Sequence, residues 1–305
     1  MEIGDHITIF RDGRFISERE VRDASVPWII AQMVGDRKKQ FDYQPAPLGE
    51  TVLEVEGLTA LHQNGGYRLN DVSFTLRKGE VIGIYGLLGA GRTELFKGLI
   101  GLMPCQSGRV RLSGKDLAKR SFQQRLKSGI ALVPEDRKGE GVIELMSVTA
   151  NMTLSDFSLR GFRRALGLLN PARELQRVNE MIGHLAIKVS DPDLPVTALS
   201  GGNQQKVVLG KALMTGPQVV LLDEPTRGID VGAKHEIYNL IYQLANRGIA
   251  VLFASSDLPE VMGLADRIVV MREGAIAGEL LHDDATEQQT LSLAMPKTTQ
   301  AAAVA

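Results

Sequence analysis

The stretch PQVVLLDEPTRGIDVGAK, residues Pro217–Lys234, contains an unbroken apolar run, Val219–Leu222, followed directly by Asp223 and Glu224. A run of this kind, with Gly-Pro before it and carboxylates after it, is typical of a strand buried on both faces of a parallel sheet. Open α/β sheets bind ligands outside the carboxyl ends of their strands. We therefore expect Asp223 to hold a hydrated Mg²⁺ and Glu224 to polarise a water. The alternative is a strand that simply ends in polar residues.

A glycine-rich loop, GLLGAGRT at Gly86–Thr93, follows a second apolar run, Val81–Tyr85. The spacing of this loop is that of a phosphate-binding P-loop, in which Gly86, Gly89 and Gly91 let successive backbone N–H groups face one hollow. The predicted helix Arg92–Ile100 starts there and directs the positive end of its dipole toward a phosphate.

The P-loop departs from its usual pattern at one position, because Arg92 stands where lysine is expected. Lysine is a compact charge, whereas arginine is a planar fork with a different reach. Nucleotide binding can survive this change, but we do not expect fast hydrolysis at this loop. The next residue, Thr93, is expected to offer its hydroxyl to Mg²⁺.

A second candidate anion site is the stretch LSGGNQQ at Leu199–Gln205. Ser200 is a natural N-cap for a helix predicted over residues 203–215, and Gly201 and Gly202 leave the backbone amides bare. Taken alone, the pattern favours an ordinary capped helix. Its position shortly before the strand that ends in Asp223 is what favours a ligand site.

Two further segments are expected near the same sheet edge. Residues 131–141, ALVPEDRKGEG, predict a strand that runs into a charged loop, and such a charge run is by itself usually a solvated loop. Residues 248–254 predict another buried strand, which ends in Ser255-Ser256-Asp257. Between them, residues 147–187 predict helices, with Asn170-Pro171 as a possible cap.

An internal repeat suggests how the chain is divided. DHITIFRDGRFI at residues 5–16 resembles DRIVVMREGAIA at residues 266–277, and each copy predicts a β-hairpin. The second copy closes a domain, so the first is interpreted as the closing hairpin of a preceding, similar domain, with chance similarity as the alternative. We expect a remnant and linker at 1–49, a domain at 50–296 with a helical part near 140–200, and a disordered tail at 297–305.

The composition excludes several classes of protein. The chain has 305 residues, 44% of them hydrophobic, and a net charge of −1, which argues against a broad nucleic-acid footprint. A single cysteine excludes an internal disulfide and fits a reducing compartment. No signal peptide precedes the first domain, and no apolar run approaches the roughly 18 residues of a membrane helix. A partner would have to cross any membrane involved.

These parts, in this order, resemble the ATP-binding-cassette (ABC) ATPase family. The P-loop, the LSGGNQQ stretch, the Asp223-Glu224 strand and the loop Gly228–Asp230 match its pattern, and the resemblance covers about residues 51–295. The forms LSGGNQQK, PEDRKGEG and DEPTRGIDVGAK narrow it to the ATPases of bacterial monosaccharide importers, which carry two cassettes in one chain. Residues 223–297 look most similar to the L-arabinose type.

The resemblance implies a P-loop NTPase fold of ABC type, with a mixed sheet core, an antiparallel β subdomain and a helical subdomain. It implies ATP and Mg²⁺ as ligands and ATP hydrolysis coupled to arabinose import at the cytoplasmic face of the inner membrane. The implied partners are permease subunits, a periplasmic sugar-binding protein that acts through them, and a second cassette. The implied roles are Mg²⁺ binding by Asp223, general-base catalysis by Glu224, γ-phosphate contacts across the dimer by Ser200, Gly201 and Gly202, and a place at the dimer seam for Asp230.

Three positions differ from the family pattern. Arg92 replaces the P-loop lysine, Glu135 replaces a glutamine that links the metal to the membrane domain, and Ser256 replaces a switch histidine. Loss of that histidine removes a transition-state contact. We therefore expect an asymmetric pair, in which this P-loop site is weak and the LSGGNQQ stretch completes the working site of the other cassette. The alternatives are a nucleotide-responsive module without catalysis and a soluble cassette ATPase.

Overall fold

The computed structural model describes residues 4–11, 14–24, 28, 32, 43, 45–62, 66–155 and 171–296. Parts of the sequence predictions lie outside these residues: positions 12 and 13 of the first predicted hairpin, position 44 of the predicted remnant and linker, the possible cap Asn170, and the tail from residue 297.

Three sheets contain the twelve described strands. The strands are β1 (His6–Arg11), β2 (Arg14–Glu20), β3 (Thr51–Leu61), β4 (Tyr67–Arg77), β5 (Val81–Tyr85), β6 (Ser107–Leu112), β7 (Lys115–Asp116), β8 (Ile130–Val133), β9 (Val219–Asp223), β10 (Ala250–Ala254), β11 (Arg267–Arg272) and β12 (Ala275–Leu281). A six-stranded sheet has the order β12-β11-β5-β10-β9-β8, a four-stranded sheet the order β4-β3-β6-β7, and β1 pairs with β2.

The six-stranded sheet is parallel except for β12, whereas the four-stranded sheet is antiparallel. Strands β5, β9 and β10 are buried along their whole length, which agrees with their continuous apolar sequences. Because β5, β8, β9 and β10 run the same way, their carboxyl ends and the loops that follow them lie at one edge. The predicted mixed core and antiparallel subdomain are confirmed.

Eight α-helices lie among the described residues. They are α1 (Arg92–Ile100), α2 (Phe122–Ser128), α3 (Val148–Thr153), α4 (Pro171–His184), α5 (Gly201–Leu213), α6 (Val231–Asn246), α7 (Leu258–Leu264) and α8 (Glu287–Ala294). The predicted bounds of α1 are confirmed, with Gly101 in a left-handed conformation at its end. Helices α3 and α4 lie in the region that the sequence predicts as helical.

One helix differs from its prediction. Helix α5 begins at Gly201 rather than at Asn203, and it ends at Leu213 rather than at Thr215. Ser200 is its N-cap by backbone conformation, but the Ser200 hydroxyl caps no backbone amide, because it accepts a hydrogen bond from the Asn203 side chain at 2.9 Å. The two glycines therefore belong to the first turn of the helix.

The two repeated segments form hairpins with the same register. His6 pairs with Glu20 as Arg267 pairs with Leu281, and both hairpins shift register at the corresponding step, after Ile9 and after Val270. A short 3-10 helix follows each hairpin, at Val21–Asp23 and at His282–Asp284. The backbone bond from Val21 to Asp5, 2.9 Å, has its counterpart between His282 and Asp266, 3.0 Å.

The two hairpins differ in what lies beside them. Strand β11 pairs with β12 on one edge and with β5, in parallel, on the other. Asp266 reinforces that second edge, because its side chain accepts a 2.8 Å hydrogen bond from the Val81 amide and its own amide donates to the Val81 carbonyl at 2.8 Å. Among the described residues, β1 pairs with β2 alone.

Candidate functional site

The P-loop places bare backbone amides at the carboxyl edge of the large sheet. Gly86 follows β5 directly, and a Cβ atom there would stand 2.6 Å from the Met271 carbonyl oxygen, so the loop is tight enough to require glycine. Gly91, with a φ of 96°, is the N-cap of α1 and offers no capping side chain. The first amides of α1 are thus available to an anion.

The end of β9 supplies a buried carboxylate beside this loop. Asp223 is only 3% exposed, and the Thr93 hydroxyl forms a hydrogen bond with it. Burial raises the pKa of Asp223 to about 6, and the charge of Glu224 adds to this rise. The Thr93 hydrogen bond and the positive charges of Arg92 and Lys97 oppose it.

Glu224, the next residue, is held from two sides. Its Oε1 lies 2.9 Å from the Arg92 Nη1, and its Oε2 accepts a 3.2 Å hydrogen bond from the Ser256 hydroxyl. Both side chains of the ion pair are buried, at 12% exposed for Arg92 and 8% for Glu224. The pair is electrostatic, since no acceptor in the described part of the chain is well aligned with the Arg92 Nη1. The φ of Glu224 is 47°, a strained conformation for a side chain with a Cβ atom.

The donor set at this edge suits Mg²⁺. A buried carboxylate and a hydroxyl are oxygen ligands of the kind that Mg²⁺ takes alongside phosphate oxygens. The raised pKa of Asp223 also shows a carboxylate short of neutralising charge, which a bound cation would provide. Asp223 and Thr93 are the residues that would hold the ion.

Glu135 also lies beside Thr93 and Asp223, at the end of another strand of the same sheet. It follows β8 and lines a cavity of about 70 Å³ together with Thr93, Asp223 and Asp136. The Glu135 carboxylate forms an ion pair with the Arg227 guanidinium, which lies on the loop that follows Glu224. Although a charge run of this kind is by itself usually solvated, Glu135 borders this cavity and pairs with Arg227.

The second group of predicted residues forms a separate part of the surface. Gly201 and Gly202 begin α5, and Asp230 is the N-cap of α6, where its Oδ1 accepts a 2.9 Å hydrogen bond from the Ala233 amide. Among the described residues, no hydrogen bond or ion pair joins Ser200, Gly201 or Asp230 to Arg92, Thr93 or Asp223.

Asp230→Ala is expected to lower the free energy of unfolding by about 1 kcal/mol, because the cap of α6 is lost. Asp230→Ser keeps a capping oxygen and should stay within a few tenths of the wild-type value. Urea denaturation followed by circular dichroism measures both changes. Equal losses in the two variants would contradict a capping role.

Three residues near the site carry no signal strong enough to single them out in the sequence. Glu260 is buried on α7 and accepts hydrogen bonds from the hydroxyls of Thr226, at 2.7 Å, and Ser255, at 2.5 Å. The Arg137 guanidinium lies beside Gly201, with a buried Nε that has no partner among the described residues. Lys206 is buried in α5. A helical period shows which face of a helix is buried, but not that a charged side chain on it is paired.

Comparison with known proteins gives the family. Residues 69–227, more than half of the chain, match the family model described as ABC transporter. The chain is 45% identical over 298 residues to the Xylose import ATP-binding protein XylG of Yersinia pestis, covering 96% of this chain and 58% of that protein. It is 48% identical over 295 residues to the Arabinose import ATP-binding protein AraG of Pectobacterium atrosepticum, covering 96% of this chain and 57% of that protein.

Solved structures agree on the fold. An ATP-binding cassette of an ABC transporter has a TM-score of 0.70 at 22% identity, covering 81% of this chain and 100% of that chain. A dimeric cassette in a post-hydrolysis state, bound to ADP and Pi, has a TM-score of 0.66 at 21% identity, covering 75% of this chain and 98% of that chain.

The chain therefore belongs to the ABC transporter family and has the ABC ATPase fold. It spans less than three fifths of the length of the curated import proteins that it matches. Among the described residues, no helix is both long enough and apolar enough to cross a bilayer.

Proposed function

We propose that this chain is the second ATP-binding cassette of a bacterial pentose importer, where it binds ATP with Mg²⁺ and couples the nucleotide to sugar import. The observation that carries the proposal is the convergence of Arg92, Thr93, Asp223 and Glu224 at the carboxyl edge of one parallel sheet. The relatives named for xylose and arabinose import support a pentose. L-arabinose rests on the resemblance of residues 223–297.

The proposed arrangement includes partners that lie outside this chain. Permease subunits would supply the membrane crossing, a periplasmic sugar-binding protein would deliver the sugar, and the cassette would sit at the cytoplasmic face of the inner membrane. The matched registers of the two hairpins support a preceding cassette of which residues 1–49 are the end and the linker. No nucleic acid takes part.

Each residue group has one task in the proposed chemistry. The P-loop amides and Arg92 would bind the phosphates of ATP, while Asp223 and Thr93 would hold Mg²⁺, which would offset the phosphate charge. In the reaction, water attacks the γ-phosphorus, the bond from that phosphorus to the bridging oxygen breaks, and ADP leaves. A carboxylate in the position of Glu224 accepts the proton of that water.

The ion pair between Arg92 and Glu224 supports a weak site on this chain. One oxygen of the Glu224 carboxylate lies 2.9 Å from the Arg92 Nη1, so it is already engaged by a side chain instead of facing an attacking water. Ser256 adds a hydrogen bond to the other oxygen of the same carboxylate. We therefore propose that this P-loop site mainly binds nucleotide, and that the LSGGNQQ stretch completes the working site of the other cassette. The same pair favours the second candidate, a nucleotide-responsive module without catalysis.

Thr93→Val tests the nucleotide site directly. Removing the hydroxyl is expected to weaken ATP binding at least tenfold in the presence of Mg²⁺, or about 1.4 kcal/mol. Binding in EDTA should be unchanged. Isothermal titration calorimetry measures both, with Ser113→Ala as a control remote from the P-loop. Equal ATP affinity for wild type and Thr93→Val in Mg²⁺ would contradict the metal role, and an absence of ATP binding by the wild type would refute the proposal.

A further inference from the structure

Lys206 is a buried lysine that joins three parts of the fold. Its side chain, 2% exposed, lies on α5, six residues after Ser200. The Nζ atom is 2.7 Å from the Glu236 carboxylate on α6 and donates a 2.9 Å hydrogen bond to the Ala186 carbonyl oxygen, which follows α4. Lysine is seldom this buried unless it is paired, and removing one partner of such a pair leaves a costly charge.

The contact between α5 and α6 extends from Lys206 to the starts of both helices. A Cβ atom at Gly202 would stand 2.4 Å from the Ala233 Cβ, so the first turns of the two helices approach as closely as glycine allows. The ion pair of Lys206 with Glu236 lies one turn further along each helix. The two contacts together fix how α5 lies against α6.

The segment after α4 is held against the same helices. Ala186 has a φ of 48°, a strained conformation that a surrounding structure must hold in place, and Lys206 binds its carbonyl oxygen. Two residues on, the Lys188 amide donates a 2.9 Å hydrogen bond to the Asn203 side chain in the first turn of α5. The end of α4, the start of α5 and the start of α6 are therefore tied together around one ammonium group.

This block carries the LSGGNQQ stretch, which the proposed function places opposite the other cassette, and the loop of Asp230, for which the family resemblance implies a place at the same seam. Helix α5 begins next to Ser200 and Gly201, and α6 begins next to Asp230. The position of one loop relative to the other is set by the packing of the two helices, because each loop is continuous with a helix start. A shift of α5 against α6 would move the glycine amides away from a phosphate while Asp230 stayed in place.

We propose that Lys206 is a positioning residue for the site shared between two cassettes. It sets the start of α5 against the start of α6, so that both loops meet the nucleotide of the opposite cassette together. This inference rests on the proposed function, since it assumes that the loops face a second cassette. A lysine that only stabilised the fold would have no selective effect on that contact.

The test compares two steps of binding in the full chain. The first is binding of AMP-PNP with Mg²⁺ to the monomer, followed by calorimetry at low protein concentration. The second is association of two copies driven by the same nucleotide, followed by sedimentation velocity, since each copy would offer its α5 loop to the P-loop of the other. The variants are Lys206→Met, which keeps the apolar stem, Lys206→Arg, which keeps the charge, and Glu236→Gln.

Lys206→Met and Glu236→Gln are expected to weaken nucleotide-driven association at least tenfold and to leave monomer affinity within twofold of wild type. Lys206→Arg should recover most of the association. The double variant, Lys206→Met with Glu236→Gln, should associate at least as tightly as the weaker of the two single variants. Thermal unfolding of each variant, measured separately, ensures that association is compared well below the midpoint.

Association of Lys206→Met at the wild-type level would overturn the inference, as would a loss of monomer affinity equal to the loss of association. A wild-type chain that binds AMP-PNP but does not associate would also overturn it and would leave the nucleotide site intact. If the wild type binds no nucleotide, the proposed function itself fails.

Discussion

The unmodified chain is expected to hydrolyse ATP slowly, and Arg92→Lys combined with Ser256→His is expected to raise turnover on the order of 10²-fold. The compact lysine lacks the planar guanidinium that lies against Glu224, so that carboxylate is free to contact the attacking water, and the histidine restores the side chain that the family pattern has in place of Ser256. General bases contribute about 10²–10⁴-fold, so release of Glu224 alone permits a gain of this size. A steady-state phosphate-release assay with saturating Mg·ATP measures the gain.

Two controls separate this explanation from a general effect on folding. Glu224→Gln in the doubly substituted chain should remove the gain, because the amide accepts no proton from water. Arg22→Lys, an exposed arginine to lysine change in the 3-10 helix after the first hairpin, should leave turnover unchanged. Fast turnover by the unmodified chain, or a gain that persists in the Glu224→Gln background, would contradict the asymmetric pair.

Asp223→Asn is expected to raise the free energy of unfolding by up to about 3 kcal/mol near pH 7.5 when Mg²⁺ and nucleotide are absent. The pKa of Asp223 is about 6 in the folded chain against an ordinary value of 3.8, because burial disfavours the charged form. The folded state therefore holds this proton more tightly than the unfolded state does. Wild-type stability falls as the pH rises from about 4 to about 6, and the variant does not share that fall.

Urea denaturation at pH 4 and at pH 7.5, in EDTA, measures the effect. The gain in free energy of unfolding of Asp223→Asn over the wild type should be near zero at pH 4 and should reach its full size above about pH 6. Added Mg²⁺ with ATP should stabilise the wild type and not the variant. Glu144→Gln, a change of an exposed carboxylate, is the matched control. An advantage of the same size at both pH values would show that it does not come from titration of Asp223.

The sequence predicts the sheet and its ligand edge because the patterns that indicate them lie within short, continuous stretches of the chain. The run Val219–Leu222 and the run Val81–Tyr85 are apolar throughout, which is typical of a strand covered on both faces. Glycine spacing in Gly86–Thr93 predicts the loop for a similar reason, since the backbone conformation restricts which residues fit.

Contacts between distant residues are what the sequence does not predict. The Arg92 pairing with Glu224 joins two motifs that are far apart in the chain, and neither motif by itself indicates the other as its partner. The same holds for Lys206, whose partners lie just after α4 and on α6. The sequence predicts the start of α5 two residues late, because glycine is a poor helix former and yet Gly201 and Gly202 lie in the first turn.

The hairpin β1–β2 has a consequence for work with this chain in solution. Along β1, the row of backbone donors and acceptors that faces away from β2 has no strand beside it within the described part of the chain. Such a row is a template for adding a strand from a neighbouring molecule. Phe10 and Phe15, 64% and 58% exposed and packed edge to face, give that template an apolar surface. Oligomers that form without nucleotide would then grow by strand addition at this hairpin, a route distinct from the nucleotide-driven pairing of cassettes.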